Sequence, residues 1–175
     1  MIKPIPQLYR GIQYRSKLEA CWAAFFHHLG VRAEYELDGF ELPSGRYLPD
    51  FFLPDIRSGV FVEVKPYDPP FRSRRLCGEL ACGTGRDVLL VTGKPPSSGV
   101  LFAWVRTTEG ETWFEDERCW RFCVLDERPN LVRNGQLDDP AVYRAAYNAH
   151  RDVRWDAQAA RIASANEVWK HRHGA

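Results

Sequence analysis

The segment Asp87–Thr92 (Asp-Val-Leu-Leu-Val-Thr) limits the possible folds more than any other part of the chain, because its four central residues form an uninterrupted apolar run. A short apolar run that lacks alternation is typical of a strand in the middle of a sheet, covered on both faces. Such a strand needs helices or other strands on either side.

A first helix is predicted over residues 16–29, where apolar side chains recur at helical spacing and form one broad face. Ser16 is a favourable N-cap, Glu19 occupies the third helical position, and Gly30 ends the helix. A second helix is predicted over residues 70–82, just before the apolar strand.

Strand-like segments separated by turn residues occupy much of the remaining chain. They cover residues 33–42, 47–53, 59–65, 100–106, 112–114 and 119–125. Residues 128–135 are predicted to form a loop. The order helix, three strands, helix, strand predicts an α/β fold with a mixed central sheet flanked by helices.

The C-terminal part is rich in alanine and is predicted to be helical from Asp139-Pro140 to about residue 170. Its alanines fit one helix face. We therefore expect an α/β domain over residues 1–135 and a helical C-terminal extension over residues 136–175.

The composition excludes several classes of protein. Hydrophobic residues make up 45% and charged residues 27%, as in globular proteins, and the formal net charge is only +1. A protein that coats nucleic acid passively needs a strongly basic surface, whereas acidic metal ligands in an enzyme offset its basic substrate contacts. No segment resembles a membrane span or a signal peptide, so we expect a cytoplasmic protein without a membrane partner.

Five cysteines are present, and four of them form the pairs Cys77-x4-Cys82 and Cys119-x3-Cys123. These spacings differ from the usual zinc knuckle, which has two intervening residues. Buried free cysteine is the commoner arrangement. A zinc-stabilised structural protein is therefore the weakest of the functional alternatives.

Two charged motifs lie on either side of a predicted hairpin loop over residues 54–59. Reflecting Asp50 through the centre of this loop reaches Glu63, so an antiparallel pair in this register sets the two carboxylates opposite each other. Their Cβ atoms would be roughly 5 Å apart. Lys65 shares their face by strand periodicity. The alternate residues turn to the core: Phe51, Leu53, Val62 and Val64.

Adjacent carboxylates repel each other, and a divalent cation removes the cost of keeping both ionised in a partly buried place. Mg²⁺ takes one or two carboxylates together with several waters. It would polarise a phosphodiester and acidify a bound water, while Lys65 orients or deprotonates that water or balances the developing charge. The motifs therefore predict metal-assisted phosphodiester hydrolysis with Mg²⁺, or with Mn²⁺ in its place.

Three sequence elements resemble, in their order and context, those of the PD-(D/E)XK nuclease superfamily: Glu19 on the first helix, Pro49-Asp50, and Glu63-Val64-Lys65. The restriction-endonuclease-like core of that superfamily is a helix, three antiparallel strands, a helix and a further strand. This order matches the elements predicted over residues 16–92, about half of the chain.

The resemblance implies a role for each matched residue. Asp50, Glu63 and the backbone carbonyl of Val64 would bind the metal. Lys65 would serve the attacking water, and Glu19 would complete the acidic cluster from the first helix. The implied activity is that of a Mg²⁺-dependent endodeoxyribonuclease.

Each of these residues also has a plainer interpretation. Asp50 is preferred to Asp55 because the latter falls at the hairpin tip, far from Glu63. Glu19 is equally well explained as a helix-capping residue. Without Asp50, the pair Glu63 and Lys65 would be interpreted as the charged face of an edge strand.

Four arginines near the motifs are the predicted DNA contacts: Arg15, Arg72, Arg74 and Arg75. Contacts of this kind position phosphates and carry no sequence information, and a solvated helix face is the alternative. We expect DNA as partner, and double-strand cleavage favours a homodimer. The alternative function is a non-cleaving nucleic-acid-binding or protein-interaction module that keeps the nuclease fold.

Overall fold

The computed structural model describes residues 4–95, 100–106, 112–125, 128–133 and 140–153. The helices are α1 (Lys17–Leu29), α2 (Phe71–Thr84) and α3, which is helical over residues 140–153. The first strands are β1 (Gln7–Tyr9), β2 (Ile12–Tyr14), β3 (Glu34–Tyr35), β4 (Phe40–Leu42), β5 (Gly45–Tyr47) and β6 (Phe51–Leu53). The later strands are β7 (Val60–Lys65), β8 (Asp87–Thr92), β9 (Val100–Arg106), β10 (Thr112–Leu125) and β11 (Arg128–Arg133).

Seven of these strands form the central sheet, in the order β11-β10-β9-β8-β7-β6-β3. Strands β7 and β8 are parallel, and the other neighbouring pairs of this sheet are antiparallel. Two separate hairpins join β1 to β2 and β4 to β5. The predicted α/β class with a mixed central sheet is therefore confirmed.

Helices cover both faces of the sheet around β7 and β8, and every residue of β8 is buried, as its apolar sequence predicted. On one face, α1 and α3 pack with a first apolar cluster that includes Phe51, Leu53, Val62, Val64, Leu89 and Val91. On the other face, α2 and the β4–β5 hairpin pack with a second cluster that includes Tyr47, Phe61, Val88 and Leu90. The α2 layer therefore lies on the opposite side of the sheet from α1.

The helix termini follow from their capping residues. Ser16 is the N-cap of α1, and Gly30 ends the helix in the left-handed region with φ 78°. Helix α2 continues to Thr84, two residues beyond the predicted end, and stops where Gly85 adopts φ 63° and donates its N–H to the Ala81 carbonyl. A left-handed glycine, rather than the interior glycines, therefore sets the end of α2.

Two predicted strands are each divided in the structure. Residues 33–42 split into β3 and β4 because Glu36 turns the chain with φ 47°. Residues 47–53 split into β5 and β6 around Pro49, which has no N–H to offer a strand ladder. Both breaks lie beside Asp50, so they shape its surroundings.

Further corrections concern the far edge of the sheet. The predicted strands 112–114 and 119–125 belong to the single strand β10, whose pairing shifts between Asp116 and Trp120. The predicted loop over residues 128–135 was wrong for Arg128–Arg133, which pairs antiparallel with β10. Pro129 is tolerated in this strand because β11 is the outermost strand of the sheet.

The start of the predicted C-terminal helix is confirmed by α3. Its buried side chains, among them Val142, Ala145 and Ala149, join the same apolar cluster as α1. Asp152 also contacts His28 of α1, with 2.6 Å between Oδ2 and Nε2. The predicted continuation of the helix to about residue 170 lies outside the described residues. None of the described helices is long and apolar enough to cross a bilayer.

Candidate functional site

The hairpin of β6 and β7 has the register that the sequence predicted. Phe51 pairs with Val62, Phe52 with Phe61, and Leu53 with Val60. Asp50 directly precedes β6, so extending this register by one residue sets it beside Glu63. The alternate side chains Phe51, Leu53, Val62 and Val64 are buried in the first apolar cluster, as predicted. The hairpin therefore delivers both acidic residues to the same end of the sheet.

Asp50 is only 3% exposed and is held by two donors. Its Oδ2 accepts the Val64 N–H at 2.7 Å, and its Oδ1 accepts from the Arg15 guanidinium at 2.5 Å. Burial, and then the charge of Glu63, raise the pKa of Asp50 to about 7, although Lys65 and the Val64 N–H oppose the rise. The two carboxylates are thus close enough to repel each other, which is the condition that a bound cation relieves.

Glu63 is buried and has partners on both carboxylate oxygens. Its Oε2 accepts from the Tyr47 hydroxyl at 2.8 Å, and its Oε1 accepts from the Lys65 ammonium. Burial tends to lower the pKa of Lys65, but the carboxylates of Glu63 and Asp50 outweigh it and raise that pKa. Burial raises the pKa of the neighbouring Cys77 thiol to about 12. Lys65 is therefore charged and Cys77 is neutral at physiological pH.

Arg15 is surrounded by three carboxylates. Its guanidinium lies 2.5 Å from Asp50 Oδ1, 2.6 Å from Glu36 Oε1 and 3.8 Å from Glu19 Oε2. Burial tends to lower the pKa of Arg15, but these acidic neighbours, led by Asp50, raise it overall. The side chain is still 52% exposed. Arg15, predicted to contact DNA, is therefore already paired with acidic residues in the free protein.

Glu19 has the capping role that was one of its two interpretations. The Ser16 hydroxyl accepts the Glu19 N–H at 3.1 Å and donates to Glu19 Oε1 at 2.7 Å. Glu19 Oε2 accepts from the Tyr35 hydroxyl at 2.6 Å. The same carboxylate also contributes to raising the pKa of Asp50. Glu19 thus caps α1 while lying in the electrostatic neighbourhood of Asp50, and its catalytic role stays a prediction.

Two residues of this neighbourhood were missed in the sequence. Glu36 donates its backbone N–H to the Asp50 carbonyl at 3.0 Å and turns its carboxylate to Arg15. Its positive φ gives no signal in the sequence, because such conformations are uncommon for residues other than glycine. Tyr47 lies between the second apolar cluster and Glu63, and nothing in its spacing from Glu63 indicates that contact.

The three arginines of α2 differ in their surroundings. Arg74 pairs with Asp68 at 2.7 Å, and Arg75 pairs with Glu79 at 2.9 Å. Arg72 is exposed and has no ion pair within the part of the chain that the structure describes. Of the predicted phosphate contacts on α2, Arg72 is therefore the one whose charge is not offset by a described neighbour.

The cysteines give no support for a zinc site. Cys77 is fully buried, whereas Cys82, five residues later on α2, is exposed. The side chains of Cys119 and Cys123 lie outside the described residues. Among the residues whose placement is described, no group of three or more His, Cys, Asp and Glu side chains is arranged to hold a metal ion.

The acidic pair nevertheless fits Mg²⁺ by its chemistry. Mg²⁺ is bound through one or two carboxylates and keeps several waters, so it does not require a complete protein cage. Asp50 and Glu63 are hard oxygen donors, both are buried, and burial followed by the charge of Glu63 raises the pKa of Asp50. Together with the Val64 carbonyl, they are the residues of this site that would hold the ion.

Comparison of the chain with protein-family models, with curated proteins and with solved structures finds no match. The likeness to the PD-(D/E)XK nuclease superfamily therefore remains a resemblance of sequence motifs. The geometry of the site brings together Asp50, Glu63 and Lys65, with Glu19 nearby, and leaves the arginines of α2 as a separate group.

Proposed function

We propose that this protein is a Mg²⁺-dependent endonuclease that hydrolyses phosphodiester bonds of DNA. Its fold would be the restriction-endonuclease-like core of the PD-(D/E)XK superfamily, here with three strands added beyond β8. The observation that carries the proposal is the buried carboxylate pair of Asp50 and Glu63, with the charged amine of Lys65 beside it.

An excess of negative charge supports a role in binding a cation. Among the residues that the structure describes, the ion pairs of the site set four carboxylates, those of Glu19, Glu36, Asp50 and Glu63, around two cationic side chains, Arg15 and Lys65. Burying carboxylates without a full set of counter-ions destabilises a fold. Such an arrangement is expected where a ligand supplies the missing positive charge.

The residues divide the work of hydrolysis between them. Asp50, Glu63 and the Val64 carbonyl would hold the metal, which when bound supplies an acidified water and a polarised phosphodiester. The Lys65 ammonium donates hydrogen bonds to the attacking water and balances the negative charge that develops on the phosphate. The Tyr47 hydroxyl holds Glu63 in place from the other side of its carboxylate.

A second candidate function is a module that binds nucleic acid or protein without cutting. The observation that favours it is internal pairing: the described neighbours of Glu19, Asp50 and Glu63 already donate to every oxygen of these carboxylates. Against it, closely spaced carboxylates repel phosphate, so a protein that only binds DNA gains nothing from them. The nuclease is therefore the preferred proposal.

Supercoiled plasmid incubated with the purified protein and Mg²⁺ or Mn²⁺ tests the proposal. We expect conversion to open-circular or linear DNA, no conversion in EDTA, and a rate lower by about 100-fold or more in Lys65→Ala. Arg46→Ala, on the exposed β4–β5 hairpin, is the control and is expected to retain the wild-type rate. Cleavage that survives both EDTA and Lys65→Ala would assign the activity to another site or a contaminant. A folded protein that cuts no nucleic acid supports the binding module.

A further inference from the structure

The Arg15 guanidinium contacts one of the two oxygens through which Asp50 would hold a cation. Of the two oxygens of Asp50, Oδ2 is committed to the Val64 N–H, which is part of the main chain of β7. Oδ1 instead accepts from a side chain, the Arg15 guanidinium at 2.5 Å, and a side chain can move aside for a ligand more readily than the main chain can. In the free protein, Arg15 acts as the counter-ion of Asp50.

A divalent cation and the Arg15 guanidinium exclude each other at this oxygen. Both carry positive charge, and repulsion at contact distance is strong in a partly buried place where solvent screens little. Asp50 is 3% exposed, whereas the Arg15 side chain is 52% exposed. The carboxylate is thus fixed and the guanidinium has room to move, so Arg15 is the group that leaves.

A displaced Arg15 would remain beside the site. Its second partner, Glu36, lies 2.6 Å away and is anchored because its backbone N–H donates to the Asp50 carbonyl. A guanidinium tethered at one side presents its other N–H groups outward. Its planar fork of donors matches phosphate oxygens, which makes arginine suited to binding phosphate.

We propose that Arg15 is an exchangeable counter-ion, which a divalent cation displaces from Asp50 and which then binds a phosphate of the DNA backbone next to the metal. This inference rests on the proposed function and names the residue that couples metal binding to DNA binding. Because coupling between two ligands is reciprocal, the metal strengthens DNA binding and DNA strengthens metal binding by the same factor.

Isothermal titration calorimetry of the DNA-free protein with Mn²⁺ tests the first half of the proposal, the competition between Arg15 and the cation for Asp50. Arg15→Gln removes the competing charge, so its Mn²⁺ dissociation constant is expected to be about tenfold lower than that of the wild type, or about 1.4 kcal/mol in binding free energy. Arg46→Gln removes the same charge from an exposed arginine that pairs with Glu41, and is expected to leave Mn²⁺ binding unchanged. An unchanged or weakened Mn²⁺ affinity in Arg15→Gln would overturn the proposal.

Fluorescence anisotropy of a labelled duplex oligonucleotide tests the second half, with Ca²⁺ present or absent and the DNA shown to stay intact. Ca²⁺ is expected to strengthen wild-type DNA binding by about fivefold or more, and that of Arg15→Gln by less than about twofold. Equal strengthening in both proteins would contradict a phosphate contact that depends on the metal.

Thermal melting first establishes that the variants fold. If Arg15→Gln does not fold, Arg15→Lys decides, since lysine keeps the charge but lacks the fork that joins Asp50 to Glu36. It is expected to bind Mn²⁺ more tightly than the wild type and to lose part of the Ca²⁺ effect, and wild-type values in both measurements overturn the proposal.

Cleavage by the wild type, together with unaltered coupling between metal binding and DNA binding in the variants, would end this inference and leave the proposed function standing. Absence of Mn²⁺ binding to the wild type would end both.

Discussion

Buried acidic residues lie at both ends of the β6–β7 hairpin, on the hairpin itself at one end and on the neighbouring strand β8 at the other, but they are neutralised differently. The turn end is the end at the loop between β6 and β7. There, Asp87 at the start of β8 is 3% exposed and pairs with Arg57 of the loop, with 2.8 Å between Oδ2 and Nε. At the open end, Asp50 and Glu63 are equally buried, yet their carboxylates repel each other. The turn end thus has a matched ion pair, and the open end has more acid than base.

We interpret this difference as that between a structural role and the proposed functional one. A hydrogen-bonded ion pair satisfies both partners, so the turn end is complete as it stands. The open end keeps a repulsion that folding alone would not favour, and groups with perturbed pKa values of this kind cluster at functional sites. Substitutions that remove one acidic group at each end therefore test whether the two ends differ as proposed.

The largest expected effect is on cleavage. Asp50→Asn keeps the shape of the side chain but removes a negative charge from the proposed metal site, so the initial rate of plasmid cleavage with Mg²⁺ should fall by about 1000-fold. Asp87→Asn makes the same chemical change at the turn end and should stay within about threefold of the wild-type rate. Similar losses in the two variants would show that the two ends do not differ in function.

For the free energy of unfolding, Asp87→Asn should be the more harmful of the two substitutions. Asp87→Asn weakens the pair with Arg57, so urea unfolding without metal should give a free energy of unfolding lower by roughly 1.5–3 kcal/mol. Asp50→Asn removes a repelling charge and should leave the free energy of unfolding unchanged or raise it. A larger loss in Asp50→Asn would mean that its bonds to Arg15 and Val64 are structural first.

The hydroxyl of Tyr47 offers a smaller test of the open end. Tyr47→Phe removes the hydrogen bond to Glu63 and leaves the ring in the second apolar cluster. Loss of such a supporting contact typically costs about tenfold in activity or metal affinity, so we expect a decrease of that size in the cleavage rate. Tyr67→Phe, at an exposed tyrosine, is the matched control and should leave the rate unchanged. A wild-type rate in Tyr47→Phe would show that Glu63 needs no such support.

Much of the β6–β7 hairpin could be predicted because residues close together in the sequence determine its geometry. The loop length and the alternation of apolar residues fixed the register that places Asp50 beside Glu63, and Lys65 followed from strand periodicity. The cap of α1 at Ser16 was equally local, since it involves residues three positions apart. These features depend on neighbours in sequence, so one sequence was sufficient for them.

The remaining parts of the site depend on contacts between distant segments. Arg15 meets Asp50 only because the chain ahead of α1 packs against the start of β6, and Tyr47 reaches Glu63 across the α2 face of the sheet. The left-handed conformation of Glu36, which turns its carboxylate to Arg15, is set by tertiary structure and not by residue type. Strand β11 was missed for a related reason, since only its place at the sheet edge accommodates Pro129.

The smallest expected effect is the pH dependence of stability without metal. Burial, and then Glu63, raise the pKa of Asp50 to about 7 in the folded protein, well above its ordinary value. The contribution of this group to stability is therefore complete at low pH and is lost as the pH rises through about 7.

In EDTA, the melting temperature of the wild type should fall between about pH 5.5 and pH 8 by about 3 °C more than that of Asp50→Asn. Saturating Mg²⁺ should reduce the fall in the wild type, since a ligand that binds the ionised folded form stabilises it. Parallel profiles for wild type and Asp50→Asn would mean that Arg15 already neutralises Asp50, and the open end would then be as complete as the turn end.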